Sequence, residues 1–313
     1  MRVLVTGGGG FIGSHVLKEL IKKEISVVSF DISPIENAIS EVMTKQEISK
    51  IKCVVGDICD FPSLCRVIQE NQITHIIHLA SMLIDAASKN PYRASEIMNG
   101  GMLNVLEAAR IFKLEKIVWA SSMSVFSSDY EGEPLSNDAL HTPNTVYGTC
   151  KSWAEKIAEH YFKEWGIDSV GLRYGIVYGV GRLRGPSSFA TNLIRQPALG
   201  KPFLFEYGES VVDWQYIDDI ANITISALLA DSLPERSYNV GGEEATVREV
   251  AKIVKEYIPE AEIDLGDQSL RIVPTGDSSA LTRDLGMNDH TSIRVAVKNI
   301  IAACRESSRI VNS

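Results

Sequence analysis

Short apolar runs with β-branched residues alternate with longer stretches in which apolar positions recur every three or four residues. "RVLVT" (2–6) leads into a helical pattern from about Phe11 to Lys23, and "ISVVSF" (25–30) follows. "IKCVV" (51–55), a helix after Phe61, "THIIHLA" (74–80), a long helix from about Tyr92 to Phe112 and "KIVWAS" (116–121) continue the alternation. A helix around Tyr147 and the strand "DSVGLRY" (168–174) complete it. Strands separated by helices pair in parallel through right-handed crossovers, which predicts an α/β, Rossmann-type doubly wound sheet.

After Tyr174 the texture changes. Gly and Pro cluster in "YGIVYGVGRLRGPSS", and later runs are short. "VVDWQYIDDIANITISALLA" reads as a strand entering a helix, "YNVGG" as a strand, and "ATVREVAKIVKEYI" as an amphipathic helix with Thr246 at its N-cap. The expected division is a Rossmann domain over 1–175, with segments at about 211–240 returning to its sheet, and a smaller C-terminal substrate-binding lobe over 176–313. The polar tail from Ala302 to Ser313 is expected to be disordered.

Composition narrows the class. The 313 residues are 45% hydrophobic and 23% charged, as in globular proteins, and no apolar run reaches the roughly 18 residues a membrane helix needs. A net charge of −9 argues against nucleic acid as a partner. The opening "MRVLVTG" reads as a strand rather than a signal peptide, so cytoplasmic location is expected, with no membrane partner. Cys53, Cys59 and Cys65 recur every six residues without a histidine among them. They fit reduced thiols rather than a metal site, and no metal is expected.

The first strand runs into "TGGGGFIGSH", with Gly7, Gly10 and Gly13 spaced GxxGxxG and Phe11 and Ile12 between the last two. Glycines between a first strand and a helix let a backbone approach a pyrophosphate at a helix N-terminus. Asp31 ends the second strand, where a carboxylate accepts from both ribose hydroxyls and repels a 2′-phosphate, favouring NAD over NADP. Asp57, with Ile58 beside it, follows the third strand and is placed either near the adenine or simply in a turn. Leu79, Ala80 and Ser81 of "HLAS" end the fourth strand, where small residues let a chain pass close to the cofactor.

Ser121 and Ser122 end "KIVWAS-S", and 25 residues beyond Ser122 stand Tyr147 and Lys151, four apart on one helix face. Ser122 would hold a substrate oxygen while Tyr147 takes or gives its proton. Lys151 would draw the phenol's pKa down from about 10.

Together, TGGGGFIG, Asp31, Asp57, HLAS, "MNGGMLNVLEAAR", ASSMSVF, YGTCK, "LRYGIVYG", "DWQYIDD" and YNVGG make the chain resemble the extended short-chain dehydrogenase/reductase family, of NAD-dependent epimerase/dehydratase type. The resemblance maps that family's YxxxK pair onto Tyr147 and Lys151 and its hydroxyl residue onto Ser122, with Ser124 a neighbour of lesser claim. It also maps the helix Asn onto Asn99, and implies that Tyr174 and the backbone after it line the nicotinamide pocket. It further implies a homodimer through the helices 92–112 and 146–165.

Members of this family include sugar-nucleotide epimerases, dehydratases and simple dehydrogenases. Here Ile176 and Val212 stand where sugar-nucleotide members often carry Asn and Arg, and Met123 and Ser124 replace the dehydratases' acidic pair. "HLASMLID", "SMSVF" and "NTVYG" look like the L-threonine dehydrogenase branch, whereas "GIVYGVGRLRG" is closer to the sugar-modifying one. Arg182 and Arg184 in that loop are candidates for an anionic substrate group, a carboxylate or a diphosphate; a merely solvated loop is the alternative. The first reading is an NAD-dependent dehydrogenase or reductase of a small polar hydroxy compound. An NDP-sugar 4-epimerase is the second and a non-catalytic NAD-binding protein the third.

Overall fold

The computed structural model describes residues 1–34, 41–130, 132–273, 275–287 and 290–311. Its main sheet takes strands β1 (Arg2–Thr6), β2 (Ser26–Asp31), β3 (Lys52–Val55), β4 (His75–His78), β5 (Lys116–Ser122) and β6 (Ser169–Tyr174). Next along the chain come β7 (Ile176–Tyr178), β8 (Phe203–Phe205), β9 (Val211–Tyr216), β10 (Ser237–Asn239), β11 (Glu243–Thr246) and β12 (Ile263–Leu265). The order in the seven-stranded sheet is β10-β6-β5-β4-β1-β2-β3, with every neighbouring pair parallel. The doubly wound sheet predicted from the alternation is therefore the observed one.

Strand alternation divides the core. Val3, Val5, Ile77, Val118, Val170 and Leu172 face one side, under helices Phe11–Lys22 and Ile217–Leu229. Leu4, Phe30, Ile76, Ile117 and Trp119 face the other, under helices Phe61–Glu70, Gly101–Phe112 and Val146–Trp165. Full burial of such a side chain is worth about 1.5–3 kcal/mol, so both helical layers are firmly held. The loops after β1, β2, β3, β4 and β5 leave the carboxyl edge of this sheet, where ligands of open α/β sheets bind, while Arg182 and Arg184 follow β7 of a smaller sheet.

Two small sheets, β11-β9-β7 and β12-β8, lie outside the main sheet, and helices Ser188–Ala198, Val247–Tyr257 and Ile293–Val311 share one core with it. Thr246 caps its helix as expected, in a capping box with Glu249.

Three expectations change. Of the segment 211–240, β10 joins the main sheet and helix Ile217–Leu229 covers it, but β9 does not, because it pairs parallel with β7 and antiparallel with β11. The helix expected over 92–112 is interrupted by a π-helical turn, Ser95–Gly100, which carries Asn99. The C-terminal helix continues to Val311, well into the tail expected to be disordered, whose Asn312 and Ser313 lie outside the described residues.

Candidate active site

At the end of β1 the chain turns through Gly7, whose φ of +72° is costly for any residue with a Cβ. A Cβ there would also sit 2.7 Å from the Ala80 amide nitrogen, so the turn lies directly against the end of β4. The helix that follows is capped by Gly10 with no side-chain hydrogen bond and has no acidic residue in its first turn. Its positive end is left to a ligand. Asp31 closes β2 and accepts from Gly9 N at 2.9 Å and Ser33 N at 3.2 Å, which aims the carboxylate across the same opening.

These residues bound a cleft of about 390 Å³ lined by Gly7, Gly10, Asp31, Asp57, Ala80 and Ser81, with Ile58 and Leu79 along its wall. A glycine cradle, an uncapped helix start and a carboxylate at the second strand's end fit a dinucleotide without a 2′-phosphate. Asp57 is largely engaged by protein: it accepts from Cys59 N and from Arg93 Nη2, both at 2.9 Å. Those bonds, led by the Cys59 amide, hold its carboxyl below the ordinary range. Gly13 is buried in the first helix, Ile12 packs on the core, and Phe11 carries a guanidinium on its ring.

The second cluster forms where β5 meets the helix Val146–Trp165. Ser122 ends β5, and its Oγ accepts from Ser124 N at 3.1 Å, shaping the short turn Met123–Val125. Thr145 caps the helix by accepting from Gly148 N at 3.0 Å. A Cβ at Gly148 would fall 2.0 Å from the Ser124 carbonyl oxygen, so glycine is what lets the helix start rest on the Ser122 turn. Tyr147 is thereby brought to Ser122.

Lys151 lies one turn further, with its ammonium 5.5 Å from the Tyr147 ring centroid and donating to Ala120 O at 2.6 Å. Burial pushes its pKa down to about 8, against the pull of Cys150 and Glu155. Burial raises the Tyr147 phenol, and the groups that draw it back are Ser122 and Arg182. Lys151 spends one of its three N–H donors on the Ala120 carbonyl and keeps its charge beside the Tyr147 ring. His78, beneath it on β4, bonds Thr6 Oγ1 through Nδ1 at 2.7 Å. Burial, helped by Lys151, drives that imidazole down to about 3, so it stays neutral.

Arg182 reaches this cluster from the Gly-rich loop after β7. Its guanidinium lies 5.4 Å from the Phe11 ring centroid and Nη2 donates to Ser187 Oγ, while Nε is buried without a partner among the described residues. Arg184 is exposed, two residues along the same loop. Ser124 contributes its backbone to the Ser122 turn. Asn99 donates to Ser95 Oγ at 3.3 Å, and its Oδ1 is buried with no partner among the described residues. Tyr174 is a correction. Its side chain is buried in the core and its hydroxyl bonds Thr224 Oγ1 at 2.7 Å, so only the backbone beyond β6 remains for a ligand.

Sequence reasoning passed over Glu155, Arg173 and His141, which form a buried polar network below Tyr147 and Lys151. One signal was available: Glu155 extends the four-residue step from Tyr147 and Lys151, and Arg173 interrupts an apolar strand. Among the described residues, no three His, Cys, Asp or Glu side chains converge as metal ligands, and no helix is long and apolar enough to cross a membrane.

Comparison with known proteins gives this geometry a lineage. UDP-glucuronate 4-epimerase 6 of Arabidopsis thaliana is 33% identical over 255 residues, 78% of this chain but 54% of that longer enzyme. The mitochondrial L-threonine 3-dehydrogenase of Sus scrofa is 27% identical over 275 residues, 86% of this chain and 72% of the relative. The crystal structure of the Thermus thermophilus UDP-glucose 4-epimerase in complex with NAD superposes with a TM-score of 0.84 at 27% identity, covering 97% of this chain and 99% of that one. A family model described as NAD dependent epimerase/dehydratase family matches residues 3–241. With a matching parallel sheet and glycine cradle, the chain belongs to the NAD-dependent epimerase/dehydratase family.

Proposed function

We propose that this protein is a net dehydrogenase or reductase acting at a secondary carbinol or carbonyl carbon of a small polar hydroxy compound. Bound NAD supplies the hydride chemistry. Gly7, Gly10, Phe11, Ile12 and Gly13 would hold its pyrophosphate end, Asp31 its adenosine ribose, and Asp57, Ile58, Leu79, Ala80, Ser81 and Asn99 the remaining walls. Ser122 orients the substrate oxygen, Tyr147 takes or returns its proton, and Lys151 keeps positive charge beneath the phenol. Arg182, with Arg184 behind it, offers its guanidinium to an anionic group on the substrate; a carboxylate suits its planar fork.

The observation that carries this reading is the apolar character of positions 176 and 212. Ile176 is half-buried and Val212 is 1% exposed within β9, so neither can donate to a nucleotide diphosphate. The Arg-bearing loop and the 33% identity to a UDP-glucuronate 4-epimerase favour the second reading, an NDP-sugar 4-epimerase. Thermal-shift titration with UDP, dTDP and GDP separates the two. No shift is expected; a clear shift with one of them would favour the epimerase. A homodimer through the segments 92–112 and 146–165 is part of the proposal, and light scattering on the eluted protein tests it.

A further inference from the structure

Glu155 lies on the Tyr147 helix, one turn beyond Lys151, and is 6% exposed. Its Oε1 accepts from Ser121 Oγ at 2.5 Å and from Arg173 Nε at 2.9 Å. Its Oε2 accepts from Arg173 Nη2 at 2.7 Å and lies 3.4 Å from His141 Nε2. Arg173 also donates through Nη1 to Asn137 O at 2.7 Å and Asn239 Oδ1 at 2.9 Å. His141 Nδ1 returns to the helix at Ser152 Oγ, 2.9 Å away. One carboxylate thus joins the ends of β5 and β6, the loop entering the helix, and the helix itself.

Stability alone is a weak reason for such an arrangement. A buried ion pair often contributes no more than well-packed apolar side chains of the same volume. What the network joins is more specific. Ser121 is the residue before Ser122, and the carbonyl before that, Ala120 O, receives the Lys151 ammonium at 2.6 Å. Three consecutive residues of β5 therefore meet the Tyr147 helix: Ala120 through Lys151, Ser121 through Glu155, and Ser122 at Tyr147.

We propose that Glu155 is a positioning residue: through Ser121 it fixes the strand end that presents Ser122 to Tyr147, and it sets a buried carboxylate one helical turn beyond Lys151. The proposal rests on the reading of Ser122, Tyr147 and Lys151 as the acting groups. The charges around the pair are few. Lys151 faces the Ala120 carbonyl and neutral His78 from the sheet, and Cys150, Tyr147 and Glu155 from its own helix. Glu155 faces Ser121, Arg173 and His141. Burial works to raise the Glu155 carboxyl, but bonds from His141, Arg173 and Ser121 hold it down at about 2, so it is charged throughout the working range. Loss of that charge removes an attraction that favours the protonated amine, so Lys151 deprotonates at lower pH.

Two variants test this in the full-length protein. Ser121→Ala keeps the Glu155–Arg173 pair and should melt within a few degrees of wild type. It should lower kcat about tenfold, with KM for NAD changed less than about twofold, because only the placement of Ser122 is disturbed. Glu155→Gln keeps the shape and removes the charge. In protein labelled with 13Cε-lysine, the Lys151 midpoint should fall below that of the wild type and the basic limb of the rate profile should move with it. Wild-type kcat in Ser121→Ala would overturn the positioning role. An unmoved Lys151 midpoint in Glu155→Gln, with only the melting temperature lowered, would overturn the charge role. Should wild type turn over no hydroxy substrate, the functional reading fails, while the lysine titration still decides the part played by Glu155.

Discussion

Gly7 and Gly10 belong to one motif, yet the structure gives them different work, and alanine at each separates folding from ligand binding. At Gly7 the backbone has φ +72°, and a new Cβ would lie 2.7, 2.8 and 2.9 Å from three backbone atoms of Leu79 and Ala80. Left-handed backbone costs an alanine roughly 1–2 kcal/mol, and forcing the turn off β4 about 1–3 kcal/mol more. The total of roughly 2–5 kcal/mol is a large share of a typical stability, and for a chain of 313 residues it corresponds to a fall of roughly 3–8 °C in melting temperature. Gly10 has φ −76°, and its Cβ would meet only the Gly7 carbonyl oxygen, at 3.1 Å. Alanine there should cost less than about 1 kcal/mol in the unliganded protein.

NAD affinity should respond differently. A methyl on Gly10 stands in the space where the helix start would receive the pyrophosphate. Loss of one charge-assisted amide bond, about 1.5–3 kcal/mol, weakens binding by roughly 10–150-fold. Calorimetric titration with NAD, beside scanning fluorimetry of both variants, is the assay. Gly10→Ala should melt like wild type and bind NAD poorly, whereas Gly7→Ala should lose both. A Gly10→Ala protein with wild-type affinity would show that no phosphate sits at this helix start.

Further outcomes follow from the same geometry. Tyr147→Phe should abolish turnover while leaving NAD affinity nearly unchanged, as steady-state rates and calorimetry will show; retained turnover would remove the phenol from the reaction. Asp31→Ala should weaken NAD and relax its preference over NADP in competitive titration, and an unchanged preference would assign that role to another residue. Lys151→Met should lose rate and NAD affinity yet raise the melting temperature near neutral pH. Burial lowers the amine from 10.5 to about 8. At about 1.4 kcal/mol per unit, charging it costs the fold a few kcal/mol, less the bond to Ala120. That cost is fully present below about pH 8 and fades as pH rises toward 10.5, so the stabilising effect should fade over the same range when melting is followed against pH. A variant that melts below wild type at neutral pH would contradict this sign.

The main sheet was legible because its strands β1 to β6 are rich in apolar residues and the helical period between them marks each crossover, whereas β10, Ser-Tyr-Asn, shows no such run. Gly7, Asp31, Tyr147 and Lys151 were legible because local spacing and strand ends fix where they emerge. The network around Glu155 was not, since Ser121, Arg173 and His141 are 34, 18 and 14 residues away and no local period links them. Tyr174 was misread for a reason that strand geometry could have supplied. Val170, Leu172 and Tyr174 alternate onto one face, and that face is the core. The small sheets were hard to read because β7 and β8 have three residues each, too few to display a period.

Net hydride transfer to NAD from a small anionic hydroxy compound is tested most directly by following nicotinamide reduction with a panel of hydroxy acids and hydroxy amino acids. Steady accumulation of NADH is expected with at least one of them, lost in Tyr147→Phe and reduced in Arg182→Ala. No NADH with any of them, together with interconversion of a nucleotide sugar and its C4 epimer, would contradict it.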